Sequence, residues 1–169
     1  MIVEADGYRF NFPDAILAFK FDDNNPQSLT FHGAPMKAVD IIVELPEAYL
    51  FVEIKEFDRP EEYDADFAEN SKEYDNYKWL KRYLKYKFRD SYLYRHAENK
   101  TEKPIQYLCL LNFDDALNSK MKKGLKIDLP VGKASSRWIK PLAQSCQVLN
   151  LAAWNRNFPK WFAQKVATA

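Results

Sequence analysis

Residues 37–56, KAVDIIVELPEAYLFVEIKE, contain two apolar runs separated by a short connection at Pro46 and Glu47. Valine and isoleucine occur in both runs, and the second run adds Tyr49 and Phe51. These residue types favour β-strands. Two long strands this close in sequence favour antiparallel pairing. The sequence therefore predicts a β-hairpin with strands over residues 37–45 and 48–57.

Among the charged residues of this hairpin, three could meet on one face: Asp40 on the first strand, and Glu53 and Lys55 on the second. Residues two apart share one face of a strand, so Glu53 and Lys55 point the same way. A four-residue loop over 46–49 would place Asp40 opposite Lys55 and diagonal to Glu53. A single cation could then bridge the two carboxylates beside an ammonium group. A loop with an odd number of residues would turn Asp40 to the other face.

Two simpler interpretations of these charges stay open at this point. The face that carries them could be exposed to solvent, or Asp40 and Lys55 could form a cross-strand ion pair worth about 0.2–1 kcal/mol. A charge among apolar strand residues is costly, however, unless it is paired or bound to a metal.

Two short elements are predicted before the hairpin. Pro13 is a favourable first helical residue, and the turn-forming residues 24–26 end the segment, so a short helix is expected between them. Residues 28–32, SLTFH, are rich in strand formers and predict a short strand that contains His32. We expect this histidine to have a structural role, with a position at the border of the charged face of the hairpin as the alternative.

Helices alternate with strands after the hairpin. The acidic residues 58–75 predict a loop, and apolar residues at intervals of three and four predict an amphipathic helix over 74–96. Residues 105–113, IQYLCLLNF, predict a central strand buried on both faces, with Cys109 in the core. A further helix is expected from its N-cap at Asp114 to Gly124.

The C-terminal part of the chain predicts shorter elements. Residues 129–136 predict a loop, and a helical segment broken near Pro141 follows. Residues 147–151, QVLNL, predict a short strand. The aromatic segment from Trp154 to Trp161 is expected to pack over the sheet, with an interface for a partner as the alternative.

The composition limits the classes to which the protein can belong. The chain has 169 residues, 47% of them apolar, which fits one domain with a substantial core and excludes a disordered or collagen-like chain. The 25 lysines and arginines nearly balance the 24 acids, so any binding to nucleic acid would depend on local segregation of charge.

The remaining residue types narrow the expected chemistry. Two cysteines and two histidines exclude a disulfide framework and leave little for a zinc site. The chain shows no secretion signal and no apolar run of membrane-spanning length, so we expect a soluble cytoplasmic protein with no membrane contact. Serine-hydrolase, phosphate-loop, zinc-hydrolase and CxxC motifs are absent, which leaves carboxylates and lysines as the reactive groups.

Asp40, followed after twelve residues by Glu53-Ile54-Lys55, resembles the motif of the PD-(D/E)XK nuclease superfamily. The order of the predicted elements supports this resemblance, which covers about residues 13–113. It implies an α/β (α+β) fold of the restriction-endonuclease type, a mixed β-sheet with an αβββαβ core flanked by helices. The whole chain would form one domain, with residues 114–169 as a C-terminal α/β extension packed on the core.

The resemblance also implies a set of ligands. Asp40, Glu53 and the backbone carbonyl of Ile54 would hold Mg²⁺ or Mn²⁺, which prefer hard oxygen ligands. Lys55 would orient or help to deprotonate the attacking water and neutralise charge on the phosphate.

The sequence departs from the family at two points. Val39 stands where the family name has proline, which is a frequent variation. The acid that many members carry on the first helix has no clear equivalent. Asp14 could serve or could only complement the helix dipole, and Asp22 and Asp23 could belong to the following turn.

The predicted second helix carries a basic stripe, whose members follow one another at intervals of four, three and four residues. The members of the basic stripe are Lys78, Arg82, Lys85 and Arg89. Such a stripe could bind nucleic-acid phosphates, and an ordinary solvated face is the alternative. Three aromatic residues flank it and could stack on bases or belong to the core: Trp79, Tyr83 and Tyr86.

The sequence thus supports two hypotheses on function. The first is a metal-dependent phosphodiesterase that cleaves DNA in repair, restriction or defence, with a homodimer or partner protein supplying any sequence specificity. The second is a non-catalytic module that keeps the nuclease fold to bind nucleic acid or protein. In this case the charged residues of the hairpin would be a remnant or a structural ion cluster.

Overall fold

The computed structural model of the chain describes residues 1–64, 72–133 and 135–166, and at residues 72–75 the backbone alone. Five strands come first and a 3₁₀ helix follows at Pro60–Tyr63, after which α-helices alternate with strands. In chain order the elements are β1 (Ile2–Ala5), β2 (Tyr8–Asn11), β3 (Leu17–Lys20), β4 (Ile41–Glu44), β5 (Tyr49–Lys55), α1 (Lys72–Ala97), β6 (Ile105–Leu111), α2 (Asp115–Asp128), β7 (Ser145–Leu149), α3 (Leu151–Asn157) and β8 (Ala163–Lys165).

The central element is a five-stranded mixed sheet with the strand order β3-β4-β5-β6-β7. β3, β4 and β5 pair antiparallel, whereas β6 and β7 each run parallel to the preceding strand. Because parallel neighbours need a long crossover, α1 connects β5 to β6 and α2 connects β6 to β7. The predicted mixed sheet with helices is confirmed, and so is the hairpin of β4 and β5.

Two apolar layers cover the two faces of this sheet. On one face, α1 and α2 pack through residues that include Leu80, Leu84 and Met121. On the other face lies a small antiparallel sheet of order β1-β2-β8, whose Phe10 packs with Trp154 of α3. β6 contributes residues to both layers, as predicted for a central strand, and Cys109 is buried among them.

The two predicted long helices are present with nearly the expected bounds. α1 begins two residues before and ends one residue after the predicted range, and α2 extends beyond Gly124. The side chain of Asp114 caps α2 by accepting a hydrogen bond from the Leu117 amide at 2.8 Å. This cap is the one that the sequence predicts.

The predicted helix after Pro13 is wrong, because the chain forms the edge strand β3 there. The Ile16 amide donates to the Glu44 carbonyl at 2.8 Å, and the ladder between β3 and β4 follows. Phe19 and Phe21 alternate along the strand and both contact the layer beneath α1. Their spacing of two is the period of a strand and places both rings on one face.

The predicted strand over 28–32 is also wrong, because local hydrogen bonds fold this segment into turns. The Asp23 carboxylate accepts from the Thr30 hydroxyl at 2.7 Å and from the Asn25 amide at 3.0 Å. The Ser28 hydroxyl accepts from the Thr30 amide at 3.2 Å. Such side-chain contacts compete with the ladder of a strand.

The predicted helical segment near Pro141 is absent from the described residues 135–144, which form turns and bends. The Gly132 amide donates to the Ala143 carbonyl at 2.8 Å, and Val131 forms an isolated parallel bridge with Ala143. These bonds hold the chain extended as it enters β7. β7 lies two residues before the predicted range of 147–151, because Asn150 caps α3 and Leu151 belongs to that helix. The aromatic segment packs over the sheet as predicted, since Trp154 is fully buried.

The C-terminal third of the chain contributes strands to both sheets. β7 extends the central sheet at its edge, and β8 pairs with β2. None of the described helices is both long and apolar enough to cross a lipid bilayer.

Candidate active site at the buried acidic cluster

The register of the central hairpin places two carboxylates side by side. The pairs Ile41–Val52 and Glu44–Tyr49 define this register, and its continuation by one residue brings Asp40 next to Glu53. The loop has four residues as expected, but it begins at Leu45, one residue earlier than predicted, so Asp40 is not opposite Lys55. A shift of two residues in register keeps each side chain on its expected face.

Both carboxylates are buried, which excludes the solvent-exposed face that the sequence left open. Asp40 is 4% exposed and Glu53 is 1% exposed, on the face of the sheet that α1 covers. The Ile54 amide donates a hydrogen bond to Asp40 Oδ2 at 2.6 Å and fixes that side chain. The backbone group of Ile54 that contacts Asp40 is thus the amide, whereas the family resemblance assigns a role to the carbonyl.

A lysine that the sequence analysis missed stands at the centre of these acids. Lys87 is 6% exposed, and its Nζ lies 3.4 Å from Glu53 Oε1 and 3.8 Å from Asp40 Oδ1. The spacing of Lys87 in the sequence already indicates that it is buried. Lys87 follows Leu84 by three residues and therefore lies on the buried stripe of α1, where an unpaired charge would be costly.

Asp22 is a third acid in contact with this ammonium, at 3.1 Å from its Oδ2 to Lys87 Nζ. The Phe21 amide donates to the Asp40 carbonyl at 2.8 Å, so the residue that follows emerges beside Asp40. Asp14 is elsewhere, where it accepts a hydrogen bond from Trp161 Nε1 at 2.8 Å. We call Asp22, Asp40, Glu53 and Lys87 the acidic cluster.

Lys55 and Tyr83 border the acidic cluster. The ammonium groups of Lys55 and Lys87 lie 5.6 Å and 5.4 Å from the centre of the Tyr83 ring. Burial, followed by the charge of Glu53, raises the pKa of Tyr83 to about 12, so its hydroxyl remains a donor at neutral pH. Lys55 is partly exposed and thus lies where the cluster meets solvent.

The charges in this cluster are strongly coupled. Burial raises the pKa of Asp40 to about 7, against the opposing effect of Lys87. Burial and then the charge of Asp40 raise the pKa of Glu53 well above its usual value. Burial disfavours the charged form of Lys87, but Glu53 and Asp40 outweigh it and raise the pKa of the ammonium. The cluster therefore carries excess negative charge only after its carboxyls lose their protons.

This coupling predicts how stability depends on pH. The folded chain binds a proton at Asp40 that the unfolded chain has released, so the stability from this group is present below about pH 4 and lost as the pH rises through about 7. Urea unfolding in EDTA should show stability falling between about pH 4 and pH 7. The decline should be smaller for Asp40→Asn. Equal slopes for the two proteins would show that Asp40 does not titrate in this range.

The oxygen atoms present suit a hard divalent cation. Glu53 Oε2 is buried and has no hydrogen-bond partner among the described residues, although it lies in a sheet where polar groups are normally paired. Asp40 adds a second oxygen, and Mg²⁺ commonly binds to one or two carboxylates and keeps several waters. Over the described ranges, no group of three or more histidine, cysteine, aspartate or glutamate side chains has the spacing of a metal site. The oxygens available to such an ion in the acidic cluster are those of Asp40 and Glu53.

The basic stripe is divided by the structure. Three of its members lie about half a turn of α1 away from Lys87 and thus from the acidic cluster. These are Lys85 and Arg89, each two residues from Lys87, and Lys78, nine residues from it. Arg82 lines a cavity whose wall includes Tyr83. It is thus the member of the basic stripe that lies beside a residue bordering the acidic cluster.

His32 has the structural role that the sequence suggests. Its ring is 5% exposed and packs against Phe21 and Tyr94, with centroid distances of 5.0 Å and 4.3 Å. Tyr94 also donates a hydrogen bond to the His32 carbonyl at 2.6 Å. These contacts attach the irregular segment after β3 to α1.

Comparison of the chain with protein-family models, with curated proteins and with solved structures finds no match.

Proposed function

We propose that this protein is a metal-dependent phosphodiesterase of the PD-(D/E)XK type that cleaves DNA, with its active site at the acidic cluster. The observation that supports this function best is the orphaned Oε2 of Glu53 beside Asp40 in a buried setting. A buried carboxylate oxygen without a partner is costly, and a bound cation would satisfy it.

Asp40 and Glu53 would hold Mg²⁺ or Mn²⁺, with the Ile54 carbonyl as the third ligand implied by the family resemblance. When bound, such an ion supplies Lewis-acid activation of a phosphate and a water. The chain's own residues account for the rest of the chemistry proposed below.

Lys55 is the residue that we assign to the reacting groups. It follows Glu53 on the same face of β5, and its ammonium is near Tyr83 at the solvent-facing border of the acidic cluster. From there it would orient the attacking water and neutralise charge that develops on the phosphate. Tyr83, protonated at neutral pH, would hold the orientation of the Glu53 carboxylate by donating to it.

Lys87 is assigned to positioning rather than to the chemical step. Its ammonium contacts three carboxylates and offsets their mutual repulsion before a divalent ion enters. Lys87 contacts the same two carboxylates that would hold the ion, at Glu53 Oε1 and Asp40 Oδ1.

The same ammonium favours a second candidate function. If Lys87 is a permanent counterion, the acidic cluster is a structural ion network and the protein is a non-catalytic module that binds nucleic acid or protein. The contact of one buried lysine with three acids is the observation that supports this alternative.

Cleavage assays separate the two functions. Wild-type protein should nick plasmid DNA or degrade single-stranded DNA with Mg²⁺ or Mn²⁺, and EDTA should abolish the activity. Asp40→Asn should reduce the rate by about 10²-fold or more, because it weakens cation binding. Asp14→Asn is the matched control, since Asp14 lies outside the acidic cluster and bonds to Trp161. Binding of DNA without cleavage across several metals and substrates would favour the non-catalytic module.

A further inference from the structure

A second concave site shares Tyr83 with the border of the acidic cluster. It has a volume of about 270 Å³, close to the lower end of small-ligand pockets at about 300 Å³. Its walls come from α1 and from the segment before β4. The lining residues are Lys37, Trp79, Arg82, Tyr83 and Tyr86. We call this cavity the aromatic pocket.

Three of the five lining residues are aromatic, and two of them are unusually exposed. Trp79 is 43% exposed and Tyr86 is 40% exposed, although large aromatic side chains on a helix are normally in the core. Trp79 also stacks on Tyr83, with a centroid distance of 5.3 Å and an interplanar angle of 21°. This stacking holds the indole in a fixed orientation while a large part of it faces solvent.

The other two lining residues are cations. Lys37 Nζ lies 5.2 Å from the centre of the Tyr83 ring, and the Lys37 amide donates to Asp90 Oδ2 at 2.9 Å, which fixes the backbone there. Arg82 faces the pocket from α1. A rigid aromatic surface with cations at its border is complementary to a nucleotide, which has an apolar base face and a charged phosphate.

Tyr83 joins this pocket to the acidic cluster. One ring lines the aromatic pocket and also lies within 5.6 Å of the Lys55 ammonium and 5.4 Å of the Lys87 ammonium. A chain of nucleotides that places one base in the pocket would therefore carry a neighbouring phosphate to the site of proposed cleavage.

We infer that the aromatic pocket binds an unpaired nucleotide, so that the protein engages single-stranded nucleic acid next to the acidic cluster. This inference rests on the proposed function for its choice of ligand. Bases in a duplex are stacked on one another and present only their edges in the grooves. Only an unpaired base offers a π-face to Trp79.

The test measures binding without catalysis. The probes are a fluorescein-labelled oligothymidylate and a blunt duplex of equal length, titrated by fluorescence anisotropy in EDTA. Trp79→Ala should weaken binding of the single strand by about 5- to 150-fold, the loss of one stacked base, and leave binding of the duplex unchanged. Trp79→Phe should restore most of the affinity because it keeps an aromatic face.

Two control variants make the result specific. Phe162→Ala removes an aromatic side chain that is 50% exposed in another part of the surface and should change neither affinity. Arg82→Ala should reduce the salt dependence of single-strand binding by about one phosphate contact, whereas Arg89→Ala, on the outer side of α1, should not. Melting curves of each variant report whether the fold is retained.

The outcomes distinguish this inference from the proposed function. Loss of single-strand binding in Trp79→Ala, without any cleavage by the wild type, supports the pocket and counts against the nuclease. Unchanged single-strand affinity in Trp79→Ala, or an equal loss in Phe162→Ala, overturns the inference even if the wild type cleaves DNA. An equal loss of duplex binding in Trp79→Ala also overturns it.

Discussion

Replacing Lys87 by methionine is expected to destabilise the folded protein by about 3–5 kcal/mol in EDTA, because the change leaves buried carboxylates without their counterion. Lys87 contacts Asp22, Asp40 and Glu53, and two of these three acids are almost fully buried. Methionine keeps most of the apolar part of the lysine side chain. The decrease in the free energy of unfolding therefore reports the removal of the ammonium charge. Urea unfolding gives the value directly.

Lys81→Met is the matched control on the same helix. Lys81 Nζ lies 3.4 Å from Asp128, but both side chains are about one-quarter exposed, and such a pair is worth about 1 kcal/mol or less. The two proposed functions then differ in the effect of metal on Lys87→Met. If the acidic cluster is a cation site, Mn²⁺ at a hundredfold excess over its Kd should restore about 2.7 kcal/mol. Failure of Mn²⁺ to stabilise this variant would favour a permanent structural role for Lys87.

Lys55→Ala is expected to reduce the rate of DNA cleavage by about 10²–10³-fold with little change in DNA binding. The substitution leaves both carboxylates able to hold the cation, and it removes the group that meets charge in the transition state. Single-turnover cleavage and anisotropy with the same DNA measure the two effects separately.

Lys160→Ala serves as the control for this variant, since Lys160 is exposed in the segment that packs on the opposite side of the central sheet. It should cleave at the wild-type rate. Equal residual cleavage by the wild type and Lys55→Ala would mean either that a contaminating nuclease is responsible or that Lys55 has no part in the reaction. Parallel loss of binding and cleavage would show that Lys55 acts only as a binding residue.

The hairpin that carries the site was predictable because two runs of strand-forming residues are joined by a short connection. The even loop kept Asp40 and Glu53 on one face, but the exact register was not predictable. Leu45 could end the first strand or begin the loop, and Tyr49 could end the loop or begin the second strand. The structure ends β4 at Glu44 and begins β5 at Tyr49. Tertiary packing decides between such registers when both keep the apolar residues inside.

The elements before the hairpin were less predictable because local signals conflict there. Pro13 favours the start of a helix, while Phe19 and Phe21 have the spacing of a strand, and pairing with β4 determines the outcome. The hairpin of β1 and β2 could have been predicted from its turn sequence. Asp6 and Gly7, with φ of 48° and 78°, form the two-residue turn that Asp-Gly favours between alternating apolar residues.

The centre of the site could be predicted only in part. Spacing identifies Glu53 and Lys55 as neighbours on one face, whereas the approach of Lys87 depends on how α1 lies over the sheet. Lys85 and Lys87 look equivalent in a charge pattern, but one is partly exposed and the other is 6% exposed. Attention to the buried stripe, in which Lys87 replaces an apolar residue, would have distinguished them.

Diffraction from crystals grown with saturating Mn²⁺ tests the central claim most directly. If Asp40 and Glu53 form a divalent-cation site, an anomalous peak should appear between them, at roughly 2.0–2.3 Å from an oxygen of each, with the Lys87 ammonium displaced from its present contacts. Absence of a peak, with Lys87 still bound to Asp22, Asp40 and Glu53, would contradict the claim.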